Sequence, residues 1–98
     1  MTINQTQDGG KLTIALSGRL DTITAPELSA VLDTLSDDVT ELVYDMKELD
    51  YMSSAGLRVM LLSLKKMSGK GKLTLKNVSD EIKEVFEITQ FDSMFDIE

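Results

Sequence analysis

Leu49-Asp50-Tyr51-Met52-Ser53-Ser54-Ala55-Gly56-Leu57 joins two stretches of different hydrophobic period. Upstream, Leu42-Val43-Tyr44-Asp45-Met46 is almost continuously apolar, the pattern of a strand buried in a sheet that helices cover, and it predicts a strand over Glu41–Met46. Downstream, Leu57, Met60, Leu61, Leu64 and Met67 recur at helical spacing and predict a helix to about Ser68. A strand that turns within a few residues into an amphipathic helix is the unit of an α/β fold. Met52 falls in the link. Ser53 and Ser54 fall at or just before the helix N-terminus, where unpartnered N–H groups and the positive end of the helix dipole favour an anion such as a phosphate. Serine is also among the best N-cap residues, so position alone allows either a cap or a modification site. Gly56 is informative because Gly inside a helix is about 1 kcal/mol worse than Ala. Its presence predicts a close approach, and the small patch Ser53-Ser54-Ala55-Gly56 would admit another protein or its nucleotide phosphates.

Outward from this junction, the order of elements follows from local signals. Asp8-Gly9-Gly10 separates two β-prone segments, Ile3 to Thr6 and Leu12 to Leu16, and predicts an opening hairpin. Leu12, Ile14 and Leu16 alternate with polar or small residues, and Gly18 reads as the strand's end. Thr24 with Glu27 fits a capping box and Pro26 suits a first helical turn, so a helix is expected from Ala25 to Leu35 with Leu28, Val31, Leu32 and Leu35 as its stripe. Ser36-Asp37-Asp38 reads as a turn. Beyond the second helix, Gly69 and Gly71 can supply a left-handed stop, Lys72 to Lys76 reads as a strand near the sheet edge, and Ser79 caps a third helix bearing Ile82, Val85, Phe86 and Thr89. Phe91, Met94, Phe95 and Ile97 form a last strand or an apolar tail. The order β-β-α-β-α-β-α-β predicts one α/β domain over residues 1–98, a mixed four- to five-stranded sheet with helices mainly on one face. Ser53 and Ser54 then lie at the carboxyl end of the central strand, where open α/β sheets gather ligands.

Composition narrows the function. The chain has 98 residues, 42% hydrophobic and 28% charged, a length suited to a single core. Ten basic against 17 acidic residues give a net charge of −7, which opposes binding to nucleic acid or anionic membranes. With no Cys and no His, the thiolate nucleophile, the commonest zinc ligand and the commonest general base are all missing, so neither catalysis nor a cofactor is expected. The N-terminus has no signal-peptide pattern, no stretch is apolar enough for a membrane span, and a cytoplasmic protein is expected.

Leu16-Ser17-Gly18-Arg19-Leu20-Asp21, the strand Leu42 to Met46, and Leu49 to Leu57 together resemble the STAS domain family, and within it the stand-alone anti-sigma factor antagonists of bacteria. The resemblance covers nearly the whole chain. It implies a protein without enzyme activity that binds an anti-sigma factor, itself a serine kinase of the histidine-kinase-like ATPase family, and so frees the sigma factor. Phosphorylation by that kinase would switch the antagonist off, and a metal-dependent serine/threonine phosphatase would restore it. The family's acceptor serine falls on Ser54, with Ser53 the second candidate. Many members have Asp where this chain has Ser53, and Ser or Thr where it has Ala55. The partner surface implied is Asp21, Met52, Ser53, Ser54, Ala55, Gly56 and Arg58. Asp21 fits equally an Asx turn ahead of the first helix. Arg58 is placed outward by helical phase, and an exposed Met52 would be an adaptable contact. The alternative is a non-catalytic STAS subunit of a transporter or of a stressosome-like assembly. An acid/base or metal cluster of Asp21, Asp45 and Asp50 is a poorer third reading, because Asp45 lies within a buried-type strand.

Overall fold

Seven residues of extended chain, Thr2–Asp8 (β1), open the computed structural model, which describes residues 1–98. They turn at Gly9-Gly10 into Lys11–Leu20 (β2), with every residue of β1 paired antiparallel to one of Ser17 to Lys11. Gly9 takes φ +60°, the left-handed region that Gly enters without strain. The chain continues through Ala25–Asp33 (α1), Glu41–Met52 (β3), Ser54–Met67 (α2), Lys72–Lys76 (β4), Asp80–Ile88 (α3), a 3₁₀ turn at Asp92–Met94, and Asp96–Ile97 (β5). The five strands lie in chain order, and only β1 runs against the others. The mixed sheet with three helices is the architecture expected.

Alternation puts Leu12, Ile14 and Leu16 of β2, Leu42, Tyr44 and Met46 of β3, and Leu73 and Leu75 of β4 on one face. These residues share one buried cluster with Leu28 and Leu32 of α1, Leu57 and Met60 of α2, and Ile82 and Phe86 of α3, so the helices cover that face. Phe95 closes the far end by packing edge-on to Phe86, with ring centroids 5.2 Å apart. On the opposite face Val43 and Thr74 sit side by side in register, both buried and both outside the main cluster.

β3 is six residues longer than the apolar run predicts. Its pairing with β2 jumps twice, from Ala15–Asp45 to Ser17–Glu48 and from Gly18–Leu49 to Arg19–Tyr51, and each jump leaves one extra residue on β3. The first bulge shifts the buried phase, so Leu49 points into the core although it breaks the alternation set by Leu42, Tyr44 and Met46, and the second bulge returns it, so Met52 is buried in the original phase. The Asp45 carboxylate braces the first bulge, accepting from the Lys47 N–H at 3.1 Å and from Asn77 Nδ2 at 2.9 Å. Gly18, expected to end β2, sits at φ +94° beside the second bulge, and the strand runs on to Leu20.

Several helix ends differ from expectation. The Thr24–Glu27 capping box does not form: Thr24 is already in helical φ/ψ, and its hydroxyl accepts from the Asp21 N–H at 2.9 Å and donates to the Arg19 carbonyl at 2.7 Å. α1 stops at Asp33, before Leu35. Only Gly69 supplies the left-handed turn after α2. Gly71 is required for space, since a β-carbon there would lie 1.8 Å from the Thr40 carbonyl oxygen. α3 ends in a Schellman turn with Gln90, not Gly, at φ 63°, the N–H groups of Phe91 and Gln90 bonding to the carbonyls of Phe86 and Glu87. β4 is bordered by β5, which is only two residues long.

Candidate phosphorylation and partner-docking site

The ends of β2 and β3 meet at Leu20 and Met52, which pair in register and are both buried. Ser53 carries the ladder one step further, its N–H donating to the Leu20 carbonyl at 2.9 Å. It then starts α2 as an N-cap, its Oγ accepting from the Gly56 N–H at 3.4 Å and its carbonyl from the Leu57 N–H. Ser54 is the first residue of α2 and is exposed, while Ser53 is half-buried. The two hydroxyls are therefore not equivalent: one is engaged as a cap and the other is free.

Two expectations about this corner are corrected. Met52 is not in a loop and offers no exposed contact; it is the last residue of β3 and 3% exposed. Gly56 is buried, and the close approach it permits is made by this chain itself. A β-carbon on Gly56 would lie 2.7 Å from Leu20 Cγ and 3.0 Å from the Leu20 carbonyl oxygen, so the missing side chain lets the first turn of α2 rest on the end of β2.

Asp21 takes the Asx-turn role. Its Oδ1 accepts from the Thr24 and Ile23 N–H groups at 3.1 and 3.0 Å, and its other oxygen lies 3.6 Å from Arg19 Nε. The hydrogen bond from the Thr24 N–H, ahead of the other contacts, holds the Asp21 carboxyl below the usual carboxylate range. This turn presents Ile23, 84% exposed, at the rim of the site. Arg19 stacks over Tyr51, its cross-strand neighbour, with the guanidinium carbon 4.2 Å from the ring centroid. Sequence reasoning missed Ile23 and the Arg19–Tyr51 pair. The register of β2 on β3 brings that pair together, and no local motif signals it.

Behind Ser54, α1 and α2 leave an open groove of about 410 Å³. Thr22, Ala25 and Pro26 form one wall, and Ala55, Arg58 and Leu62 the other. Arg58 is exposed and makes no ion pair, whereas Arg19 is tied to Asp21 and Tyr51. No three acidic side chains gather as a metal would require; Asp45 lies on the outward face of the sheet beside Lys47 and Asn77, and Asp21 is committed to its turn. No helix is long and apolar enough to cross a membrane.

The fold is that of a known family of regulatory domains. The model of the STAS domain family matches residues 2–98, and the chain belongs to that family. BtrV of Bordetella bronchiseptica, named as an anti-sigma factor antagonist, is 36% identical over 99 residues, covering 99% of this chain and 85% of its own. The anti-sigma-B factor antagonist of Staphylococcus aureus is 37% identical over 78 residues, covering 78% of this chain and 72% of its own. Among solved structures, the Bacillus cell fate determinant SpoIIAA in its phosphorylated form superposes with a TM-score of 0.78 at 20% identity, over 99% of this chain and 91% of that one.

Proposed function

We propose that this protein is a cytoplasmic anti-sigma factor antagonist without enzyme activity, which binds an anti-sigma factor serine kinase and so releases the sigma factor. Phosphorylation of Ser54 turns it off, and a serine/threonine phosphatase turns it on again. In the kinase reaction the Ser54 Oγ attacks the γ-phosphorus of ATP, the bond to the β-phosphate oxygen breaks, ADP leaves, and the serine proton passes to a base on the kinase. The reading is supported by the names that BtrV and the Staphylococcus aureus relative carry. The observation that carries it is the exposed Ser54 hydroxyl at the first position of α2.

The physical logic is one of interface chemistry. A phosphoserine adds about 1.5 to 2 negative charges at pH 7 to a chain whose net charge is already −7. The helix N-terminus offsets part of this by about 0.3 to 1 kcal/mol, so the domain stays folded. A hundredfold loss of affinity requires only about 2.7 kcal/mol, which desolvating a phosphate dianion against a partner that offers it no cation supplies. The test is site-resolved phosphate mapping of the protein recovered from its own cells in growth and under stress, together with what co-purifies. Phosphate on Ser54 that falls as a kinase-like partner becomes bound supports the reading; an unmodified Ser54 in both states, with a transporter ATPase co-purifying, overturns it in favour of a subunit role.

A further inference from the structure

We propose that Arg58 captures the phosphate placed on Ser54 and, in doing so, withdraws from the groove between α1 and α2, so that one modification alters both the charge at the serine and the shape of the neighbouring groove. This rests on the reading of Ser54 as the acceptor. Arg58 follows Ser54 by four residues in the same helix, the spacing at which side chains are neighbours, and an anion preceding a cation is the favourable order. The chain has two guanidinium groups, and only this one is uncommitted: Arg19 is held between the Asp21 carboxylate and the Tyr51 ring. A guanidinium offers a planar fork that binds two phosphate oxygens at once, and a phosphorylated Ser54 is thus met by a donor already within one helical turn. Arg58 is also the only charged residue lining the groove, whose other walls are small or apolar, including Ala25, Pro26 and Leu62. A partner seated there meets a cation in the unmodified protein and meets none after the guanidinium has turned to the phosphate.

The experiment uses protein carrying phosphoserine at position 54, installed by codon reassignment so that no kinase is needed. The second ionisation of the phosphate, ordinarily near pH 6, is followed by phosphorus NMR in the otherwise wild-type protein and in Arg58→Gln and Arg58→Lys variants. The wild type is expected to titrate about 0.3 to 1 unit lower than Arg58→Gln, with Arg58→Lys recovering part of the shift. Methyl resonances of Ala25 and Leu62 are expected to move on phosphorylation in the wild type and to stay in place in Arg58→Gln. Unmodified Arg58→Gln melts like the wild type, because the Arg58 side chain is exposed and makes no ion pair in the fold. Identical phosphate titrations in wild type and Arg58→Gln would overturn the pairing; shifted titrations with unmoved groove methyls would overturn the withdrawal. A phosphate found in cells on Ser53 would sink the acceptor reading and leave this titration standing.

Discussion

Tyr44 on β3 and Ser63 on α2 share a 2.6 Å hydrogen bond between hydroxyls that are both buried, and Ser63 in turn donates to the Val59 carbonyl at 2.9 Å. The tyrosine proton therefore goes to the serine. This contact fixes the central strand to the helix that carries Ser54. Ser63→Ala strands the Tyr44 hydroxyl without a partner and is expected to cost about 1 to 3 kcal/mol, whereas Tyr44→Phe leaves Ser63 satisfied and costs about 0.5 to 1.5 kcal/mol. Urea denaturation of both variants and of the double variant checks the asymmetry: with Tyr44 already Phe, removing the serine adds little.

The same pair sets the alkaline limit of the fold. Burial holds the Tyr44 phenol above its ordinary value, so in the folded state it stays neutral where the unfolded chain ionises. Its contribution is complete below about pH 10 and declines as pH rises beyond that value. Tyr44→Phe is expected to flatten the loss of stability between about pH 10 and about pH 11.5, measured as the urea midpoint at each pH.

At the acid end the sign reverses. Asp45 is held below the usual carboxylate range first by its bond from Asn77, and Asp21 first by its bond from the Thr24 N–H. Both stabilise the fold above the unfolded value near pH 4, and both contributions vanish as pH falls through the lowered folded values. Asn at both positions is expected to make the acid limb of a stability profile shallower. An unchanged limb in the Asp21→Asn, Asp45→Asn protein would contradict the hydrogen-bonding account.

Gly56→Ala sets a steric cost against a helix gain. The added methyl meets Leu20 Cγ at 2.7 Å and the Leu20 carbonyl oxygen at 3.0 Å, and overpacking of this kind costs about 1 to 3 kcal/mol against about 1 kcal/mol gained in helix propensity. The expected outcome is a net loss of up to about 2 kcal/mol and displaced amide resonances for Ser53 and Ser54. Gly9→Ala is the comparison, since nothing lies within 4 Å of its β-carbon; it strains the hairpin and leaves the serine amides unmoved.

Ile23 offers a test of the docking surface that leaves the fold alone. At 84% exposure, Ile23→Asp is expected to change stability by no more than about 0.5 kcal/mol. If the anti-sigma factor covers this rim, calorimetric affinity falls at least tenfold, about 1.4 kcal/mol. Unchanged affinity would place the interface away from the β2–α1 turn.

The parts of this fold that could be read in the sequence are those where one period runs unbroken. The Leu12-Ile14-Leu16 alternation and the Leu57-Met60-Leu64 stripe announce β2 and α2, and chain order alone brings Ser54 to the start of a helix beyond the central strand. What escaped was set by neighbours distant in sequence. The apolar run predicts β3 only to Met46 because two bulges interrupt the alternation beyond it, which leaves Met52 in the link. The purpose of Gly56 depends on Leu20, which lies on another strand, and the Schellman turn after α3 uses Gln90 where a reader looks for Gly. The groove exists only because α1 and α2 lie side by side, which no local pattern states.

The two bulges of β3 amount to a clock. Each inserted residue advances the strand by half a turn of its pleat, and the pair together restores the original phase by the time the chain reaches Met52. The direction in which Ser54 leaves the sheet is therefore counted out by the number of residues between Met46 and Met52. Removing a residue that is not the extra one of a bulge would turn Tyr51 inward in place of Met52, whereas removing the extra residue of either bulge would only close that bulge and keep Met52 opposite Leu20. In this chain, spacing within a strand, as much as the identity of the serine, determines which surface carries the Ser54 hydroxyl.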